Sequence, residues 1–202
     1  MPKIVDHQVR RAEITAVAVD LISSGGIEAA TIREIANHSG YSKGVVEHYF
    51  ENKEELIAAA LEWVNTSYSR RAEAASAGLR GLGAVKACLE AALPMSAELS
   101  REWKVRLVFW AMAATDSDLA KQQGLRFERA AEHFSGHLQE AKEAGEITAD
   151  ALTDVWGRRL VNTVSGLAVA ALHNPRFATR HFLQQEVDQI IAAMAGGSWP
   201  AA

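Results

Sequence analysis

The sequence predicts an all-α protein, with a small N-terminal module of three helices followed by a larger helical domain. Three observations carry that expectation. Alanine, leucine and glutamate dominate a chain of 202 residues that holds only four prolines. Capping residues stand directly ahead of amphipathic runs, at Thr31, Ser42 and Asn52. Apolar side chains then recur at helical spacing along segments separated by Gly, Pro and Asp-rich breaks.

A chain of this length buries a sizeable core without staples, hiding roughly 70% of its unfolded surface. Its 49% hydrophobic and 23% charged residues are ordinary for a globular protein. No run of eighteen apolar residues appears, so no membrane span or membrane partner is expected. The N-terminus lacks the apolar core of a signal peptide, which implies a cytoplasmic location. Cys88, the single cysteine, excludes a disulfide framework and reads as a buried thiol in VKACLEAAL.

The first helix is expected from about His7 to Ser23, with Ile14, Val17, Ala18 and Leu21 inward, and SSGG ends it. Thr31 and Glu34 have capping-box spacing, and Ile32, Ile35 and Ala36 give the second helix an apolar side. Gly40 can take the left-handed conformation that stops a helix and reverses the chain. Ser42 caps the third helix, about Ser42 to Phe50, whose apolar residues are Val45, Val46, Tyr49 and Phe50. Asn52 and Glu55 repeat the box and open a fourth helix at about Lys53, running through Leu56, Ala60, Trp63 and Val64 towards Ala77. Helix, glycine turn and capped second helix form the helix-turn-helix signature, and the third helix is short enough to enter a DNA major groove.

Five more helices are expected: about Ala84 to Leu93, Ala97 to Ala114, Asp118 to Ala144, Asp150 to His173 and Ala178 to Ala195. Pro94, TDSD, Gly145 and Asn174–Pro175 separate them. GLRGLG is the clearest break, yet the domain division is placed at the start of the fourth helix, giving 1–53 and 54–202. The tail GGSWPAA is expected to fray.

Charge does not advertise nucleic-acid binding. The whole chain carries −4. Residues 1–53 set six bases, Lys3, Arg10, Arg11, Arg33, Lys43 and Lys53, against seven acids, Asp6, Glu13, Asp20, Glu28, Glu34, Glu47 and Glu51. DNA binding therefore depends on where the charges point. The bases sit near helix starts, where backbone N–H groups also favour phosphate, and Glu13, Asp20 and Glu28 can lie away from that surface.

The segment TIREIANHSGYSKGVVEHYFENKEELI resembles the DNA-binding segment of the TetR family of bacterial transcriptional regulators. RRAEITAVAVDLISSGGIEAATI resembles that family's first helix and the loop behind it. MPKIV, the early RR and VEHYF look more narrowly like the BetI-like branch, to which KVRLVFWAMAATDSDLA and GLAVAAL are also similar. The resemblance implies a homodimer that binds a palindromic operator in double-stranded DNA, most often as a repressor answering a small-molecule inducer. It implies that Lys43, Gly44, Val45, Glu47 and His48 face the groove beside Ser42. Tyr49 and Lys53 would hold phosphates, with Thr31 and Arg33 assisting.

Local readings stand beside the resemblance. Gly44 permits close backbone approach to DNA, or merely loosens the first turn. Glu47 replaces an aromatic residue usual in the family. It can accept from a cytosine amino group, or simply pair with Lys43 at i, i+4. His133 and His137 share a helix face, but two histidines do not complete a metal site, so no metal is expected and pocket lining is the alternative.

Trp103, Phe109, Trp110, Phe127, Phe134 and Trp156 read as core by spacing. The resemblance makes them, with Arg106 beside Trp103 and Trp110, candidates for an inducer pocket, and the BetI-like branch implies choline held by aromatic faces. Gly157, Leu160, Val161, Val164, Ser165, Gly166, Leu167, Ala168, Ala170, Ala171 and Leu172 can pair with Phe182, Leu183, Val187, Ile190 and Ile191 across a dimer axis. Burial within one subunit is the alternative. A glycine-rich phosphate loop, nucleophile elbow and zinc-type cluster are missing from the sequence, so neither enzyme activity nor a cofactor is expected. A helical enzyme and a ligand-independent regulator are the rival readings.

Overall fold

The computed structural model describes residues 3–176 and 178–199, with side chains from His7 onward. Its helices are α1 (Lys3–Gly25), α2 (Ile32–Ser39), α3 (Lys43–Tyr49), α4 (Lys53–Ser76), α5 (Gly81–Ala92), α6 (Ala97–Ala113), α7 (Ser117–Glu143), α8 (Thr153–His173) and α9 (Arg180–Ala195). The all-α expectation holds, and among the described residues no helix is long and apolar enough to cross a membrane. The end of the GGSWPAA tail, residues 200–202, lies outside the described residues.

Two compact units divide the chain: Met1–Ser67 with Arg101–Met112, and Tyr68–Ser100 with Ala113–Ala202. In the first, Ile14, Ala18 and Ile22 of α1 meet Ile35, Val46, Phe50, Leu56, Ala60 and Val64, with Val105 of α6 joining the same core. This core holds two short helices, α2 and α3, that could not stand alone, because helices under about 12–15 residues are marginal in water.

In the second unit α7 and α8 make the most extensive helix pair, and α5 packs on α7 and α9. Gly157 sets the α7–α8 approach: a Cβ there would fall 2.4 Å from the Ala131 carbonyl oxygen. Gly157, Leu160, Val161, Val164, Ala168 and Ala171 of α8 are buried, as are Leu183, Val187 and Ile190 of α9. These side chains serve the subunit's own interior. Gly166 and Ala170 remain on the exposed side of α8.

Helix starts match the local caps closely except at α1, which begins at Lys3 ahead of the expected His7, and at α5 and α8. Asp116 Oδ1 accepts from the N–H groups of Asp118 and Leu119, and Thr179 Oγ1 accepts from Phe182. α8 starts at Thr153 instead of Asp150, because Thr148 and Asp150 bond each other in a turn closed by Ala151 N–H donating to the Thr148 carbonyl. α5 starts at Gly81, inside the predicted break. Its first N–H groups find carboxylates distant in sequence: Gly81 donates to Glu140 Oε2 (3.3 Å) and Leu82 to Glu146 Oε2 (2.7 Å). Acids at a helix N-terminus also meet the positive end of its dipole.

Candidate nucleic-acid interface

The helix-turn-helix is built by its caps. Thr31 Oγ1 accepts from Glu34 N–H at 3.1 Å, and Gly40 closes α2 in the left-handed region at φ 74°, ψ 7°. Ser42, extended at φ −71°, ψ 155°, accepts from Val45 N–H at 3.3 Å. Asn52 Oδ1 accepts from Glu55 N–H at 2.8 Å, while Glu55 Oε2 accepts from Glu51 N–H at 2.9 Å. That bond is the main reason the Glu55 carboxyl titrates below its ordinary range, with Arg11 adding to it.

α3 has a locked inner face and an open outer one. Val46 and Phe50 are 0% exposed beneath it. Ser42, Lys43, Gly44, Glu47 and His48 are exposed, and Val45 and Tyr49 are half-buried, Tyr49 packing on the core. Thr31 and Arg33 are exposed at the start of α2. Lys43 Nζ lies 3.0 Å from Glu47 Oε1, the i, i+4 pair open in the sequence reading. Such an exposed pair contributes about 0.3–0.5 kcal/mol, so phosphate or a base edge displaces it readily.

Lys53 and Arg11 are engaged with acids outside their own helices. Lys53 Nζ binds Glu28 Oε2 at 2.9 Å. Arg11 reaches Glu55 Oε1 at 3.2 Å, with its guanidinium carbon 4.7 Å from the Phe50 ring centroid. Arg11 thus braces the joint between α1, α3 and α4, a role that its place in an Arg pair did not reveal. His7 was also missed. Its ring lies 4.4 Å from Tyr49 and 6.0 Å from His48, and no spacing rule links residues forty positions apart.

The candidate ligand residues fall in both units. In the first, Trp103 and Trp110 meet edge to face at 5.7 Å, and Arg106 lies 5.2 Å from the Trp103 ring centroid. Arg106 also donates to the Val64 carbonyl at 3.3 Å and stands 3.8 Å from Glu102, which is 1% exposed. Trp103 and Phe109 are buried. In the second unit Phe134 and Trp156 are buried, whereas Phe127 is exposed.

Comparison with known proteins gives this geometry its context. A family profile described as "Bacterial regulatory proteins, tetR family" matches residues 14–60, and one described as "BetI-type transcriptional repressor, C-terminal" matches residues 82–196. The chain belongs to the TetR family of transcriptional regulators. It is 31% identical to the HTH-type transcriptional regulator PksA of Bacillus subtilis, over 87% of this chain and 84% of that one. It is 27% identical to the regulator BetI of Escherichia coli, over 93% and 98%. Among solved structures, a transcriptional regulator from Rhodococcus sp. Rha1 superposes with a TM-score of 0.79 at 27% identity, covering 93% of this chain and 96% of that one. A putative regulator from Saccharomonospora viridis in complex with choline gives 0.80 at 21% identity, covering 90% and 95%. A TetR-family regulator acts in transcription through DNA, and the matched relatives are regulators rather than enzymes.

Gly44 separates two readings of α3 experimentally. A Cβ built on it meets nothing within 4 Å, so the free protein accommodates alanine. Gly44→Ala is expected to leave α3 unchanged or steadier by up to about 1 kcal/mol. Operator affinity is expected to fall at least about tenfold, equivalent to about 1.4 kcal/mol. Thermal melts and gel shifts on an operator selected from random duplexes measure both. Unaltered affinity would leave Gly44 as no more than a loose first turn.

Proposed function

We propose that this TetR-family protein is a ligand-responsive repressor that binds a palindromic operator as a homodimer. The outer face of α3 carries the reading: its polar residues and glycine are exposed while Val46 and Phe50 fix the helix from below. Residues 1–53 form the DNA-binding module, and residues 54–202 bind the inducer and dimerise. In each subunit Lys43, Gly44, Val45, Glu47 and His48 address base edges beside Ser42. Tyr49, Lys53, Thr31 and Arg33 hold phosphates. Two such helices on a two-fold axis read half-sites one helical turn apart, roughly 34–36 Å.

The exposed side of α8 around Gly166 and Ala170, with α9, supplies the surface for the second subunit. An inducer contacting Trp103, Arg106, Phe109, Trp110, Phe127, Phe134 or Trp156 favours one setting of α4, which leaves the cytoplasmic repressor unable to span both half-sites. Choline is the first inducer to test, given the BetI relatives and the choline-bound neighbour.

Gel-shift titrations across salt test the DNA half. If the dimer neutralises about six to ten phosphates, affinity drops by about three to five orders of magnitude between about 50 and 200 mM salt. Affinity indifferent to salt contradicts the phosphate contacts. Sedimentation of the free protein as a monomer at micromolar concentration contradicts the dimer.

A further inference from the structure

The second unit brings together three side chains that the regulatory reading leaves unused. Cys88 of α5 is fully buried, and its Sγ lies 3.6 Å from His133 Nε2 of α7. His137, one turn along α7, has its ring centroid 5.0 Å from that of His133. One ligand atom from each of the three residues lies within 4.8 Å of the other two. Zinc bonds of about 2.3 Å to sulfur and about 2.0–2.1 Å to nitrogen, at the tetrahedral angle, place sulfur and nitrogen about 3.6 Å apart. The Cys88–His133 separation has that value.

His137 supplies a second, independent observation. Its Nδ1 lies 3.3 Å from Glu140 Oε2. An ionised carboxylate only accepts, so Nδ1 carries the proton, and in the neutral imidazole Nε2 then keeps its lone pair. That Nε2 is buried and has no hydrogen-bond partner. A carboxylate bonded to the far nitrogen of a histidine is the usual support of a metal-bound imidazole. Glu140 is itself held by Gly81 N–H and stands 3.5 Å from Arg80.

We propose that Cys88, His133 and His137 form a binding site for a borderline divalent transition metal, with Zn(II) the best match. One thiolate and two imidazoles suit that class and not Mg(II) or Ca(II), which take oxygen. Three protein ligands leave the fourth position for water or a small anion. The metal ligand is the thiolate, so binding displaces the thiol proton and affinity rises with pH. The ion ties α5 to α7.

The test uses tag-free, full-length protein stripped with chelator and titrated with Co(II), then Zn(II), so its readout is independent of DNA binding. Expected are tetrahedral cobalt bands, a thiolate-to-cobalt charge-transfer band and their loss on adding Zn(II). Cys88→Ser removes the charge-transfer band. His133→Gln, at an exposed position where folding is preserved, weakens binding at least about tenfold, and Glu140→Gln by about 10–100-fold. Absence of the sulfur band, or cobalt affinity unchanged in both Cys88→Ser and His133→Gln, overturns the site.

Discussion

Phe50→Ala is expected to cost about 3–5 kcal/mol of stability, the range for emptying a buried aromatic position. Phe50 is 0% exposed, ends α3 by donating its N–H to the Val46 carbonyl at 3.0 Å, and carries the Arg11 guanidinium on its ring. Removing the ring strikes the core under α3 and the support of the Arg11–Glu55 brace together, while the backbone bond to Val46 remains. Since folded proteins hold only about 5–15 kcal/mol in all, the helix-turn-helix becomes marginal and operator binding is lost with it. Urea unfolding followed by circular dichroism gives the stability change, and gel shifts give the binding. A loss under about 1 kcal/mol would mean that α3 is held by something other than this core.

Gly157→Ala is the second large effect, and it comes from adding a single methyl group. The new Cβ would stand 2.4 Å from the Ala131 carbonyl oxygen and 3.2 Å from the Ser135 nitrogen, both backbone atoms that no rotamer change can move. The helices must separate along the most extensive packing of the second unit, so the cost is at or above the usual about 1–3 kcal/mol for overpacking. Gly136→Ala, on the exposed side of α7, is the internal control: its added Cβ meets nothing within 4 Å, and alanine is the better helix former. Thermal melts of the two variants should therefore move in opposite directions. A Gly157→Ala melt equal to that of the parent protein rejects the close α7–α8 approach.

The helix-turn-helix was legible because its signals are local. Thr31 to Glu34, Ser42 to Val45 and Asn52 to Glu55 each span three residues, and the glycine stop at Gly40 concerns one backbone angle. The Lys43–Glu47 pair follows from helical spacing for the same reason. The start of α5 was not legible, because the groups that receive its first N–H donors lie about sixty residues further along the chain. The small residues of α8, left open between a dimer surface and the subunit's own interior, divide: Gly157 serves packing within the subunit, whereas Gly166 and Ala170 lie outside. Periodicity says that a face is small, not what it meets.

From its order of residues alone, this chain specifies that its described segments are helical, with the caps at Thr31, Ser42 and Asn52 and a glycine-punctuated helix-turn-helix, since each depends on bonds closed within one helical turn. Which partners Arg11, Lys53 and Cys88 would find was decided by the tertiary path. Glu55 lies 44 positions from Arg11, Glu28 25 from Lys53, and His133 45 from Cys88. Encounters over such separations depend on how helices cross, and helix crossing is fixed by side-chain packing across the whole unit rather than by any local pattern.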